Sequence, residues 1–168
     1  PTRRSSDLSC GAPYIICLYL RNEERSYAAF RLCWLARKGK RAGAWMTSYK
    51  NQYIKNGENH RPHISVVCNF TKPTAETPSL LTFQEVTTLF HEFGHALHGV
   101  LANTQYPGLS GTSVKWDFVE LPSQFLENFC YEPEFLKTFA KHYKTGEVLS
   151  DDDVINLTKM NKIFNENF

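Results

Sequence analysis

A chain of 168 residues with 42% hydrophobic and 14% aromatic side chains has the material for a buried core, and its net charge of +2 is small. No basic stripe points to nucleic acid, and Lys38, Lys40 and Arg41 form a cluster too short to argue a partner. No apolar run is long enough to span a membrane, and the 5 cysteines, odd in number and without a Cys-x-x-Cys pair, argue against a disulfide framework or a cysteine metal site. They read as cytoplasmic thiols, and a cytoplasmic monomer is expected.

Arg3-Arg4 followed by the apolar residues 11–20 outlines a signal peptide. No small-residue cleavage site follows, however, and Arg21-Asn22-Glu23-Glu24-Arg25 is highly charged, so that reading is rejected. The apolar residues of this head can be drawn as a helix, and no role is assigned to residues 1–35. Further on, His63-Ile64-Ser65-Val66-Val67-Cys68 is rich in β-branched residues and lies between Pro62 and Lys72-Pro73-Thr74, which predicts a strand.

Thr82-Phe83-Gln84-Glu85 has the form of a capping box, with Thr82 at the N-cap and Glu85 at N3. From Phe83 to about Leu101 there is no proline, and Val86, Leu89, Phe90, Phe93, Leu97 and Leu101 recur at three- and four-residue steps, so a helix is predicted there. It carries His91-Glu92-Phe93-Gly94-His95, the pattern H-E-x-x-H. Positions i and i+4 share a helix face, so both imidazoles can grip one Zn²⁺ from the same side. Glu92, beside the first of them, is placed to serve as general base. Alternatively, the helix is buried and its two histidines satisfy core hydrogen bonds. Gly94 is expected to relieve bulk beside the metal. His98, one turn past His95, is read as a packing or helix-surface residue. Ser110-Gly111-Thr112 is a turn that either approaches the metal or is a plain loop.

Residues 117–128 look helical, with Asp117 or Leu121 before the first turn and Pro122 near its start. Glu120, Gln124 and Glu127 fall on one face. A catalytic zinc takes three protein ligands and keeps one position open. Glu120 is assigned as the third; on spacing alone, a carboxylate favoured by the helix dipole explains it equally well. Pro133 suits the start of a further helix with Phe135, Leu136 and Phe139 on its apolar face and Gly146 at its end. Ser150 caps another, with Asp151, Asp152 and Asp153 in its first turn and Val154, Leu157, Met160, Ile163 or Phe164, and Phe168 on its buried stripe. No internal repeat is present.

Three stretches together carry a likeness: Phe90 to Gly99, Leu109-Ser110-Gly111-Thr112, and Asp117 to Gln124. With Gly39-Lys40-Arg41-Ala42-Gly43-Ala44-Trp45-Met46 and Cys68-Asn69-Phe70 upstream, the chain resembles the thimet oligopeptidase family, above all its bacterial peptidyl-dipeptidases and oligopeptidase A. The resemblance runs from about Ala36 to about Gly146. It implies that His91, His95 and Glu120 bind one Zn²⁺ and that Glu92 is the base. The implied substrates are short oligopeptides, cleaved by release of C-terminal dipeptides or by endo-cleavage. A truncated zinc-binding domain without turnover is the remaining alternative. The implied fold is mainly α: a zincin-like catalytic region with a small sheet beside the active-site helix, part of a larger helical, channel-forming peptidase. Residues 36–168 are then a partial catalytic domain, and residues 1–35, unlike the family, are expected to be foreign to it. The oxyanion donors implied by the family are expected beyond Phe168. The strand from His63 is either a core strand or the sheet edge that holds an extended peptide, with His63, Ser65 and Val66, and Gly111 nearby, as substrate-binding candidates.

Overall fold

The computed structural model describes residues 15–21 and 26–165. Its elements are β1 (Ile15–Arg21), β2 (Ser26–Leu35), β3 (Trp45–Lys50), β4 (Tyr53–Lys55), β5 (Glu58–His60) and β6 (His63–Phe70), followed by α1 (Phe83–Val100), α2 (Trp116–Val119), α3 (Leu121–Asn128), α4 (Pro133–Phe139) and α5 (Asp151–Asn165). Helices and small sheets thus share the fold, with all strands in the first part of the chain and all α-helices after them.

The main sheet has the order β1-β2-β6-β3. β6 runs parallel to β2 and antiparallel to β3, so its main chain is hydrogen-bonded on both sides. Side chains alternate across a strand. Ile64, Val66, Cys68 and Phe70 therefore point to one face, where they meet Phe30, Leu35, Ala96 and Val100 in the core. α1 closes this face. Burial pushes the Cys68 thiol up to about 12, with the nearby Glu92 adding to the shift, so it packs as a small apolar group.

One expectation is corrected here. The apolar residues from 15 to 35, drawn as a helix from sequence, form the hairpin strands β1 and β2. The division at residue 35 falls at the end of a core strand, for Phe30 and Leu35 are buried against β6. Residues 1–14, where the remaining expectation about the head falls, lie outside the described residues.

α1 begins as its sequence requires. Glu85 N–H donates to Thr82 Oγ1 at 3.2 Å, and Thr82 N–H donates to Glu85 Oε2 at 2.9 Å, completing the capping box. The other oxygen of Glu85 accepts from Thr71 N–H at 3.0 Å, tying the chain leaving β6 to the start of the helix.

α4 packs on α1 through aromatic rings: Phe90 lies 5.5 Å from Phe135 and 5.9 Å from Phe139. It ends at Phe139, not at Gly146. The reason is a competing turn, in which Gly146 N–H donates to His142 O at 2.8 Å and Lys141 bridges to Val148. Ser150 caps α5, accepting from Asp153 N–H at 3.2 Å, and Val154 is buried. The side chains of Met160, Ile163, Phe164 and Phe168 lie outside the described residues.

Candidate metal centre

His91 and His95 project from one face of α1 with ring centroids 5.0 Å apart. Opposite them stands Glu120. The segment expected as one helix is divided there: Glu120 ends α2 and precedes the first turn of α3, with Pro122 in that turn. Proline lacks an N–H and is tolerated in a first turn, where no intrahelical bond would use it.

This joint faces α1 closely. A Cβ on Gly94 would fall 2.5 Å from both Pro122 O and Ser123 Cα. Gly94 therefore serves the crossing of α1 and α3, which corrects the expectation that it relieves bulk at the metal. The crossing brings Glu120 Oε2 to 3.1 Å from His95 Nε2 and 3.2 Å from His91 Nε2. Ser123, fully buried, places its hydroxyl 2.7 Å from the same oxygen.

These donors suit a zinc ion. The set comprises two imidazole nitrogens and one carboxylate oxygen, all within 4.8 Å of one another, and it is the one such group of histidine, cysteine and acidic side chains among the described residues. Ligands of a tetrahedral zinc bound at about 2.0–2.1 Å stand roughly 3.3 Å apart, close to the separations of Glu120 from both rings. The Glu120 carboxyl is held below the usual range: burial raises it, but Ser123 and the two histidines outweigh burial. His95 is pushed down, chiefly by burial, toward the neutral form that a metal ligand requires.

Two further carboxylates complete the surroundings. Glu92 is 8% exposed, and burial raises its pKa, while a backbone N–H from Met46 in β3 holds it in place. Glu127, two turns along α3 from Glu120, lies 3.2 Å from His91 Nδ1. That contact raises the His91 pKa more than any other influence. Spacing put Glu127 on the face of Glu120, but only the helix crossing shows which ring it meets.

The substrate-binding candidates fall elsewhere. His63 is exposed at the start of β6; Val66 is in the core; Ser65 is buried on the sheet face away from α1. Because β6 is interior, it has no free edge for a peptide, and that reading is corrected. Among the described residues the free edge nearest Glu92 belongs to β3. Gly111, at φ 57°, packs on the backbone of Gly99, where a Cβ would come within 2.9 Å of Cα. Its neighbour Ser110 reaches the buried Gln52, which also accepts from Thr104 N–H at 2.8 Å. His98 packs near Phe118, its ring centroid 6.2 Å away, outside the donor group.

A helix bearing H-E-x-x-H, closed by a later carboxylate, is the donor arrangement of a metal-dependent hydrolase. The profile of peptidase family M3 matches residues 16–168, and the chain belongs to that family. The match takes in β2, upstream of where the likeness is legible by eye. Oligopeptidase A of Escherichia coli (strain K12) is 48% identical over 134 residues, covering 79% of this chain and 20% of that protein. Dipeptidyl carboxypeptidase of the same organism is 45% identical over 117 residues, or 70% of this chain and 17% of that protein. Organellar oligopeptidase A of Arabidopsis thaliana is 47% identical over 118 residues, or 67% and 15%. The chain spans about a fifth of the length of these relatives or less. No described helix is long and apolar enough to cross a membrane.

Proposed function

We propose that this chain carries the zinc centre of a peptidase that hydrolyses short oligopeptides, with His91, His95 and Glu120 as ligands and Glu92 as general base. One observation carries the reading: Glu120 Oε2 stands 3.1 and 3.2 Å from the Nε2 atoms of two histidines one helical turn apart. Zinc, when bound, supplies Lewis acidity to polarise a peptide carbonyl and to acidify a water.

The protein's own groups do the rest. Glu127 accepts a hydrogen bond from His91 Nδ1–H, a tautomer that leaves the Nε2 lone pair available to a metal. The Ser123 hydroxyl steadies the Glu120 carboxylate. Glu92 removes a proton from the attacking water and returns it to the leaving amine. The free edge of β3 offers main-chain hydrogen bonds to an extended peptide, and Met46 ties that strand to Glu92.

Release of C-terminal dipeptides is the proposed mode, supported by the similarity to dipeptidyl carboxypeptidase. The similarity to oligopeptidase A favours endo-cleavage as the second reading. Metal content by mass spectrometry, beside a quenched-peptide assay and sizing of products, tests the reading on wild type, His95→Ala and Glu120→Ala. One zinc per chain, lost in both variants, with peptide cleavage in the wild type, is expected. Dipeptide products select the first mode and longer products the second. Zinc without cleavage would reduce the chain to a metal-binding domain; no zinc would overturn the reading.

A further inference from the structure

The face of the main sheet turned away from α1 carries a pocket of about 330 Å³ bordered by Arg31, Arg37, Lys40 and Arg41, with Trp45 and Tyr49 as its ring walls. Ser65 and Val67 of β6 also line it, in alternation with the core residues Ile64, Val66 and Cys68. Among the described residues no carboxylate lines the pocket. None of the four cations is in any of the ion pairs found among the described residues.

Their donors are unequally engaged. The Lys40 ammonium lies against the carbonyls of Cys33, at 3.0 Å, Leu35, at 3.0 Å, and Cys68. It is spent on the carboxyl ends of two parallel strands and contributes charge rather than a free hydrogen bond. Arg37 Nη1 donates to Cys33 Sγ at 3.3 Å, a weak acceptor. Arg41 stands 6.0 Å above the Trp45 ring. Among the described residues, the guanidinium groups thus retain unused donors.

Four like charges around one cavity, in a protein whose net charge is only +2, repel one another without a counterion. Arginine forks match the planar spread of phosphate oxygens and bind them through paired hydrogen bonds. The volume lies at the small end of ligand pockets, roughly 300–1,000 Å³. Exposed Tyr49 and the Trp45 ring offer apolar surface beside the charges.

We propose that this pocket binds a small phosphate-bearing anion. Arg31 and Arg37 grip the phosphate, Arg41 closes over it, and Lys40 supplies field. The phosphate comes either as the free ion or as part of an ester whose organic portion rests on Trp45 and Tyr49.

Calorimetric titration of the whole chain with inorganic phosphate and with adenosine monophosphate, in chloride buffer, tests this. Saturable binding of one anion per chain is expected, weakened about tenfold or more by Arg37→Gln and by Arg31→Gln, as loss of a charge-assisted hydrogen bond requires. Arg41→Gln, at an exposed turn, provides the same test should either strand-side variant fail to fold. Lys72→Gln, outside the pocket, should bind as wild type does. Tighter binding of the nucleotide identifies an ester; equal or weaker binding identifies the free ion. Titration of His95→Ala should leave affinity unchanged, which separates this pocket from any anion held at the metal centre. No saturable heat with either probe, retention of affinity in the arginine variants, or loss in His95→Ala would overturn the proposal.

Discussion

The Glu127 carboxylate meets His91 on the ring nitrogen opposite the one that faces Glu120: Nδ1 to Glu127 is 3.2 Å, and Nε2 to Glu120 is 3.2 Å. The imidazole is held from both sides by residues of the same polypeptide stretch. A carboxylate behind a ligating histidine fixes its tautomer and increases its basicity. Glu127→Ala should weaken zinc binding by about 10–100-fold, with circular dichroism unchanged. Glu127→Gln, whose amide oxygen can still accept, should recover part of the loss. Competition against a chromophoric chelator measures both, and wild-type affinity in the alanine variant would remove the assigned role.

Gly94→Ala reverses an ordinary expectation. In an open helix, alanine would stabilise by about 1 kcal/mol relative to glycine. Here the new Cβ meets backbone atoms of Pro122 and Ser123 at 2.5 Å, and backbone cannot swing aside as a side chain can. A net loss of about 1–3 kcal/mol is expected from overpacking. Zinc affinity should fall with it, because Glu120 adjoins the displaced segment. Denaturant unfolding of the metal-free protein decides; an increase in stability would show that α3 yields easily.

The capping box predicts a pH signature. Burial, the largest influence on Glu85, raises its pKa, but hydrogen bonds from Thr82 and Thr71 together bring it below the ordinary 4.5. A depressed carboxylate contributes stability above its unfolded pKa, and that contribution is lost as pH falls below about 4.5 through the lower folded value. The group is largely solvated, so the effect is small. Glu85→Gln should flatten the acid limb of stability, so that the deficit of the variant relative to wild type shrinks as pH falls below about 4.5. Thr82→Ala should cost about 1 kcal/mol. A parallel acid limb in Glu85→Gln would mean that the carboxylate makes no linked contribution.

Proline substitutions separate the two strands. Val66→Pro removes an N–H from an interior strand and should abolish folding, visible as loss of the cooperative thermal transition. Ser48→Pro alters β3, whose outer edge is free among the described residues. It should leave the fold intact and raise KM for peptides with little change in kcat. Unchanged KM in folded Ser48→Pro would exclude this edge as the peptide seat.

How much was legible in the sequence follows the range of the interactions. Thr82, Glu85, His91 and His95 lie within 14 residues on one helix, so their geometry follows from periodicity and capping alone. Glu120 is proposed as third ligand on the third-ligand requirement and the family likeness, but its place between two helices is not legible: Pro122 fits the first turn of either a long or a short helix. The strands were harder. An apolar run such as residues 15–20 suits helix or strand equally, and pairing with β2 decides it. Composition could not tell whether β6 was central or peripheral, because the partner on one side comes from upstream and the other from the intervening β3. The basic pocket escaped for the same reason: Arg31 joins residues 37–41 only because the chain turns back after the end of β2.

Glu120 is the one proposed donor that belongs to no helix interior, since it stands at the joint of α2 and α3. A side chain in mid-helix is carried by a rigid rod, whereas one at a joint shares its backbone with two rods that can rotate against each other. Seating that carboxylate on an ion would therefore also set the angle of α2, and α2 opens with Trp116, 90% exposed. The indole becomes a fluorescent gauge of the joint: zinc addition should shift its emission in wild type, and a Trp116→Phe subtraction should isolate the change from Trp34 and Trp45. An emission spectrum indifferent to zinc would show that the joint is already locked before the ion arrives.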